Sequence, residues 1–128
     1  PQMITRASGR SPMLACANGV DAPRLFGPRS FDLVVAFMVF HEVPVDDGSA
    51  ALLRAMHSTA RREVWVVDID PSYTPSAPML AGEPFLLGYL DRFDVVVRRS
   101  CARVDSFALV PGHVRAWRCR PDAKQARL

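Results

Sequence analysis

The stretch Phe31-Asp-Leu-Val-Val-Ala-Phe-Met-Val-Phe40 has one polar side chain in ten, and from Leu33 onward it is the longest apolar run in the chain. It is far short of the ~20 apolar residues that a membrane-spanning helix requires. Val34 and Val35 favour extended backbone, and an apolar run without alternation describes a strand covered on both faces, as inner parallel strands are. The run therefore predicts an α/β fold with a buried parallel strand near its middle.

The segments that follow extend this pattern. Pro44, Asp46 and Asp47 supply a helix start, and Leu53, Met56 and Ala60 recur at helical spacing, predicting a helix over 47–60. Glu63-Val-Trp-Val-Val-Asp-Ile69 predicts a second strand, closed by Asp68, Asp70 and Pro71. Strand, helix, strand in this order predicts a right-handed parallel crossover. Between 71 and 84 four prolines alternate with Ser, Thr and Gly, which predicts a loop or lid. Leu86, Tyr89, Leu90, Phe93 and Val97 mark one face of a helix over 85–99. Strands over 103–110 and 113–120 then flank Pro111-Gly112 as an antiparallel hairpin. Before residue 31 the prolines and glycines leave room only for a short strand at 13–17. A single domain over 1–128 is expected, with residues 1–12 irregular and 121–128 a tail. Starting at Pro1 rather than Met, the chain is expected to lack something upstream.

Composition narrows the class further. With 49% hydrophobic and 23% charged residues the chain is ordinary globular material, not a disordered one. Its net charge of +3 comes from arginines scattered through every segment, so no dedicated nucleic-acid surface is expected, and no membrane association. Cys16, Cys101 and Cys119 are odd in number and far apart, which argues against a zinc site and a disulfide framework and for a reducing, intracellular, cytoplasmic setting. His57 and His113 have no partners at ligand spacing and are read as surface residues; no metal is expected.

Ser30-Phe31-Asp32-Leu33-Val34 followed by His41-Glu42-Val43-Pro44, then Val66-Val67-Asp68-Ile69-Asp70-Pro71, resembles the fourth and fifth strands of class I S-adenosylmethionine-dependent methyltransferases. Ala17-Asn18-Gly19-Val20-Asp21 is similar to the end of that family's third strand. Glu83-Pro84-Phe85 through Leu90 looks like the approach to the last helix in the ubiquinone- and menaquinone-biosynthesis type. The resemblance implies a partial Rossmann-like fold, mostly parallel and ending in an antiparallel hairpin, with S-adenosylmethionine as cofactor and a small-molecule acceptor. It covers roughly residues 16–120. The family's opening strand and glycine-rich turn have no counterpart here, and Ala60-Arg61-Arg62-Glu63 and Ser100-Cys101-Ala102 replace its usual glycine-containing turns.

On that resemblance Ala17, Asn18 and Gly19 would hold the adenine, and Ala36 and Phe37 would pass beside the cofactor. Their other reading is a plain Asn-Gly turn and plain core. His41 is either a base acting on the acceptor or a structural hydrogen-bonding group at the strand–helix junction. Asp68 and Asp70 are read as strand terminators on opposite faces, with Asp70 offered to the following loop. Tyr73, Phe85 and Tyr89 line an acceptor pocket or belong to the core. Against the enzyme stands a second class, a truncated or degenerate methyltransferase-like domain acting as a fragment or interaction module. Such a chain would present an exposed sheet edge for self-association.

Overall fold

The structure, a computed structural model, describes residues 15–120. Four strands form one mixed sheet: β1 (Phe31–Phe37), β2 (Ala60–Ile69), β3 (Arg103–Val110) and β4 (Val114–Arg120), in the order β1-β2-β4-β3. β1 and β2 run parallel, while β4 pairs antiparallel with both β2 and β3. The helices are α1 (Ala22–Phe26), α2 (Asp47–Thr59), α3 (Ala77–Gly82) and α4 (Leu86–Ser100). The α/β class, the parallel pair joined by a helix, and the closing hairpin all agree with the sequence reading.

Register sorts the side chains into two faces, because successive residues of a strand point to opposite sides. One row crosses the sheet as Ala36, Val66, Trp117 and Ser106, and the adjacent row as Val35, Trp65, Arg118 and Asp105. The first face is the core. There Val64, Val66, Trp117 and Cys119 meet Leu53 and Met56 of α2 and Leu86, Tyr89, Phe93 and Val97 of α4. Phe93 is the hub: its ring lies 4.9 Å from Phe40, 4.9 Å from Tyr89 and 5.1 Å, edge-on, from Trp117. Trp117 is buried without an orphaned donor because its indole N–H gives a 2.9 Å hydrogen bond to Asp94.

The second face carries no helix among the described residues. Leu33, Val35 and Phe37 are 51%, 51% and 67% exposed. Farther across, Arg118 lies over the rings of Trp65 and Phe107 and bonds Asp105, covering part of this surface. The expectation of a strand buried on both sides is thus corrected: β1 has one neighbour, β2, among the described residues, and one of its two faces is bare. An unbroken apolar run reports apolar residues on both faces, and nothing in it reports whether both are covered.

Three further corrections concern local structure. The proline-rich stretch is not all loop, since α3 forms within it: Ser76 Oγ accepts from Met79 N–H, and Pro78 sits in the first turn, where a missing N–H costs nothing. Of the strand expected at 13–17, residues 13–14 lie outside the described residues and 15–17 are irregular. The irregular 1–12 and the 121–128 tail also lie outside. Cys101 and Cys119 form a disulfide, with Cα atoms 5.7 Å apart, joining the residue after α4 to β4. They lie 18 positions apart in sequence, so the hairpin's return brings them together.

Deleting the Phe93 side chain removes the ring that three other aromatics pack on. Phe93→Ala is expected to lower unfolding stability by about 3–5 kcal/mol in urea titrations followed by tryptophan fluorescence. A loss under about 1 kcal/mol would contradict this packing.

Candidate functional site

The carboxyl ends of β1 and β2 converge on one buried carboxylate. After Phe37 the chain turns sharply: Met38 takes a left-handed φ of 54° while its N–H still extends the ladder to Val67 O at 2.8 Å. The turn leaves the next amides without strand partners, and Asp68 receives them. Its Oδ2 accepts from Phe40 N–H at 2.8 Å and Val39 N–H at 3.2 Å, and its Oδ1 from Ile69 N–H at 2.7 Å. His41 Nδ1 lies 2.6 Å from Oδ1. A carboxylate that accepts three amide protons is an acceptor toward the imidazole too, so Nδ1 carries the hydrogen and donates it. His41 is 6% exposed and Asp68 fully buried.

Fixing the hydrogen on Nδ1 leaves Nε2 as the ring's proton-accepting atom. It faces Glu42 Oε1 at 3.9 Å, and Glu83 completes a group whose ligand atoms all lie within 4.8 Å of one another. Chemically, a carboxylate–imidazole pair of this kind can take a proton at Nε2, with Asp68 stabilising the charged ring. The ring edge of Tyr89 approaches His41 with centroids 6.3 Å apart, and its hydroxyl donates to Ile69 O at 2.7 Å. Burial, followed by the nearby charges of Asp68 and Asp70, pushes the Tyr89 phenol far above its ordinary range. It therefore acts as a fixed neutral donor.

Asp70 occupies the next position on the same side. Residues two apart on a strand share a face, and both Asp68 and Asp70 act on Tyr89 from the helix side. This corrects the expectation that they point apart. The loop role expected of Asp70 holds: its Oδ1 accepts from Ser72 N–H at 2.9 Å and Ser72 Oγ at 2.8 Å, while Arg115 Nε donates to Oδ2 at 3.0 Å. Burial opposes the Asp70 charge. The Ser72 amide and hydroxyl and the Arg115 guanidinium outweigh it, holding the carboxyl below its ordinary value.

The other predicted residues lie apart from this cluster. Ala17, Asn18 and Gly19 are exposed, at the start of a single 3-10 turn (Gly19–Asp21) whose N-cap is Asn18. Asn18 Oδ1 accepts from Val20 N–H at 3.2 Å. Gly19 lies close to α2, where an added Cβ would come within 2.9 Å of Leu52 Cδ1. Ala36 points to the helix face, packed against the core, and Phe37 to the bare face. Tyr89 is core, Tyr73 packs against it beside His113, with ring centroids 5.7 Å apart, and Phe85 is 40% exposed.

Sequence reasoning identified His41 but not its partner. Asp68 was legible only as a strand terminator, although an acid at the end of one parallel strand, opposite a turn with free amides, is the signal that finds it. His57, read as a surface residue, is part-buried, and its Nε2 lies 3.1 Å from Cys101 Sγ. Burial lowers its proton affinity. Comparison with protein-family models and with curated proteins finds no match to this chain.

Two outcomes follow from this geometry. Asp68→Asn puts an amide NH₂ among N–H donors in a dry site, and is expected to cost about 3–5 kcal/mol by urea denaturation; an unchanged midpoint would refute the anchoring role. The second concerns acid. The folded-state value of Asp70 lies below the unfolded one, so the unfolded chain binds more protons at low pH. The stability it contributes is present above about pH 4 and is lost as pH falls below that. Asp70→Asn should flatten the decline in melting temperature between pH 5 and pH 2, both pH values being about the carboxylate titration range.

Proposed function

We propose that the chain is the carboxyl-terminal part of a class I S-adenosylmethionine-dependent methyltransferase domain, with the carboxyl ends of β1 and β2 facing a small-molecule acceptor. The observation that carries this reading is the sheet order β1-β2-β4-β3. A parallel pair is followed by a closing antiparallel hairpin, a combination unusual outside that family's sheet. The sequences at the two parallel strand ends, His41-Glu42-Val43-Pro44 and Asp68-Ile69-Asp70-Pro71, support it. So does the position of the site, since ligands of open α/β sheets bind outside the carboxyl ends of the strands.

The residues present fit one edge of the cofactor. Asn18 has an amide NH₂ without a partner among the described residues while its oxygen caps Val20, and Phe37 offers an exposed ring. Ala17 is exposed next to Asn18 in the chain, Gly19 brings bare backbone close to Leu52, and Ala36 packs against the core. Bound S-adenosylmethionine would supply the electrophilic sulfonium methyl group. The chain's own contribution is alignment and exclusion of water, with His41 Nε2 placed to accept a proton from an acceptor hydroxyl or amine.

The bare sheet face favours a second reading, an interaction module without catalysis. Leu33, Val35 and Phe37 project from it beside the edge of β1 that no strand among the described residues pairs with, and such an edge invites pairing with another chain. One preparation separates the readings: the protein expressed together with its upstream coding sequence, titrated with S-adenosylmethionine by calorimetry. Saturable binding, weakened about fivefold by Asn18→Ala as expected for one lost hydrogen bond, supports the enzyme. Absence of binding overturns it, and association through the β1 edge, seen by size-exclusion chromatography and abolished by Val35→Lys, would then support the module.

A further inference from the structure

The strongest unassigned feature is a cavity of about 550 Å³ at the opposite end of the sheet from His41. It opens where the chain enters the two parallel strands and is lined by Arg29 before β1, Arg54 and His57 of α2, Arg61 and Arg62 of β2, and Arg120 of β4. At ~3.3 Å per residue, the eight steps from Ala60 to Asp68 separate this end from the His41–Asp68 pair by roughly 26 Å. The two sites are independent.

Five arginines from four segments line this cavity, with Glu63 as the single acid in the lining, and Arg29 has an interaction of its own. Glu63 is engaged by the Trp65 indole N–H at 2.8 Å. Asp32 is shared by Arg61 at 3.0 Å and Arg62 at 3.7 Å, all three side chains being more than half exposed. Such exposed pairs exchange readily for a better anion. The Arg54 guanidinium has no hydrogen-bond or ion-pair partner among the described residues. Arg120 is held by Asp105, and the neighbouring Cys119 is fixed by its disulfide to Cys101, between the lining residues Ser100 and Ala102.

We propose that this cavity is a binding site for a small ligand carrying a phosphoryl or diphosphoryl group. Guanidinium forks arriving from different directions match a tetrahedral phosphate, which presents oxygens on several sides, whereas a carboxylate offers two in one plane. The volume lies within the range of small-molecule sites. Pro28, Ala60 and Val64 give the lining an apolar part that an organic body attached to the phosphate can cover.

The test uses inorganic pyrophosphate, titrated calorimetrically into the full chain at low ionic strength. Saturable one-site binding is expected, weakened at least fivefold in each of Arg54→Ala and Arg61→Ala. Both side chains are exposed, so the variants keep the fold, which circular dichroism checks. Citrate is expected to bind at least tenfold more weakly, and a twelve-residue single-stranded oligonucleotide no more tightly than pyrophosphate. Absence of saturable binding, or unchanged affinity in both variants, overturns the site. Citrate equal to pyrophosphate overturns the phosphoryl assignment, and a tighter oligonucleotide overturns the small-ligand assignment.

Discussion

The turn that leaves β1 is tied to the end of β2 through the carboxylate of Asp68. Fully buried itself, it accepts from the amides of Val39, Phe40 and Ile69 and from the imidazole of His41. Without it, the turn after β1 would bury two unpaired N–H groups, each costing on the order of 1–3 kcal/mol. With it, Phe40 is set against Phe93, and the chain leaves toward α2 in one direction only. The same carboxylate that receives the turn amides on Oδ2 also fixes, through Oδ1, which nitrogen of His41 carries hydrogen. Stability and whatever chemistry Nε2 performs are therefore coupled through a single side chain.

A second constraint is the one-sidedness of the layers. α2 and α4 cover the same face of the sheet, so the core is a two-layer structure whose helix side is closed by aromatic rings and whose other side is apolar yet open. Arg118, laid over Trp65 and Phe107 and tied to Asp105, covers the β4–β3 half of that face. No comparable cation reaches Leu33, Val35 or Phe37 among the described residues. This apolar surface lies beside an edge of β1 that no strand among the described residues pairs with.

Much of this was legible in the sequence, for reasons that differ element by element. α2 and α4 declared themselves through Leu53, Met56, Phe93 and Val97, because a helix buries one stripe and the stripe has a period. The hairpin declared itself through Pro111-Gly112, with Gly112 taking the left-handed φ of 70° that glycine permits. What could not be read depended on contacts between distant residues. The Cys101–Cys119 bond needs β4 to return beside the end of α4, and the partnership of His41 with Asp68 spans 27 positions. Whether the odd residues of β1 are covered is a property of their neighbours and leaves no trace in their own identity.

The charge distribution follows the direction of the parallel strands. Acids gather at the carboxyl ends, where Asp68, Glu42 and Glu83 stand around His41 and Asp70 pairs with Arg115. Arginines gather at the amino ends, around the cavity at Ala60. Residues 15–120 hold as many arginines as acids, so their balance is the sum of two opposed local excesses, and scattered positions in the sequence become a cluster because strands and helix ends meet there. An anion would be steered to one end of the sheet and repelled from the other. At the acidic end the proton position of an imidazole is fixed by Asp68, and at the basic end His57 stands among arginines.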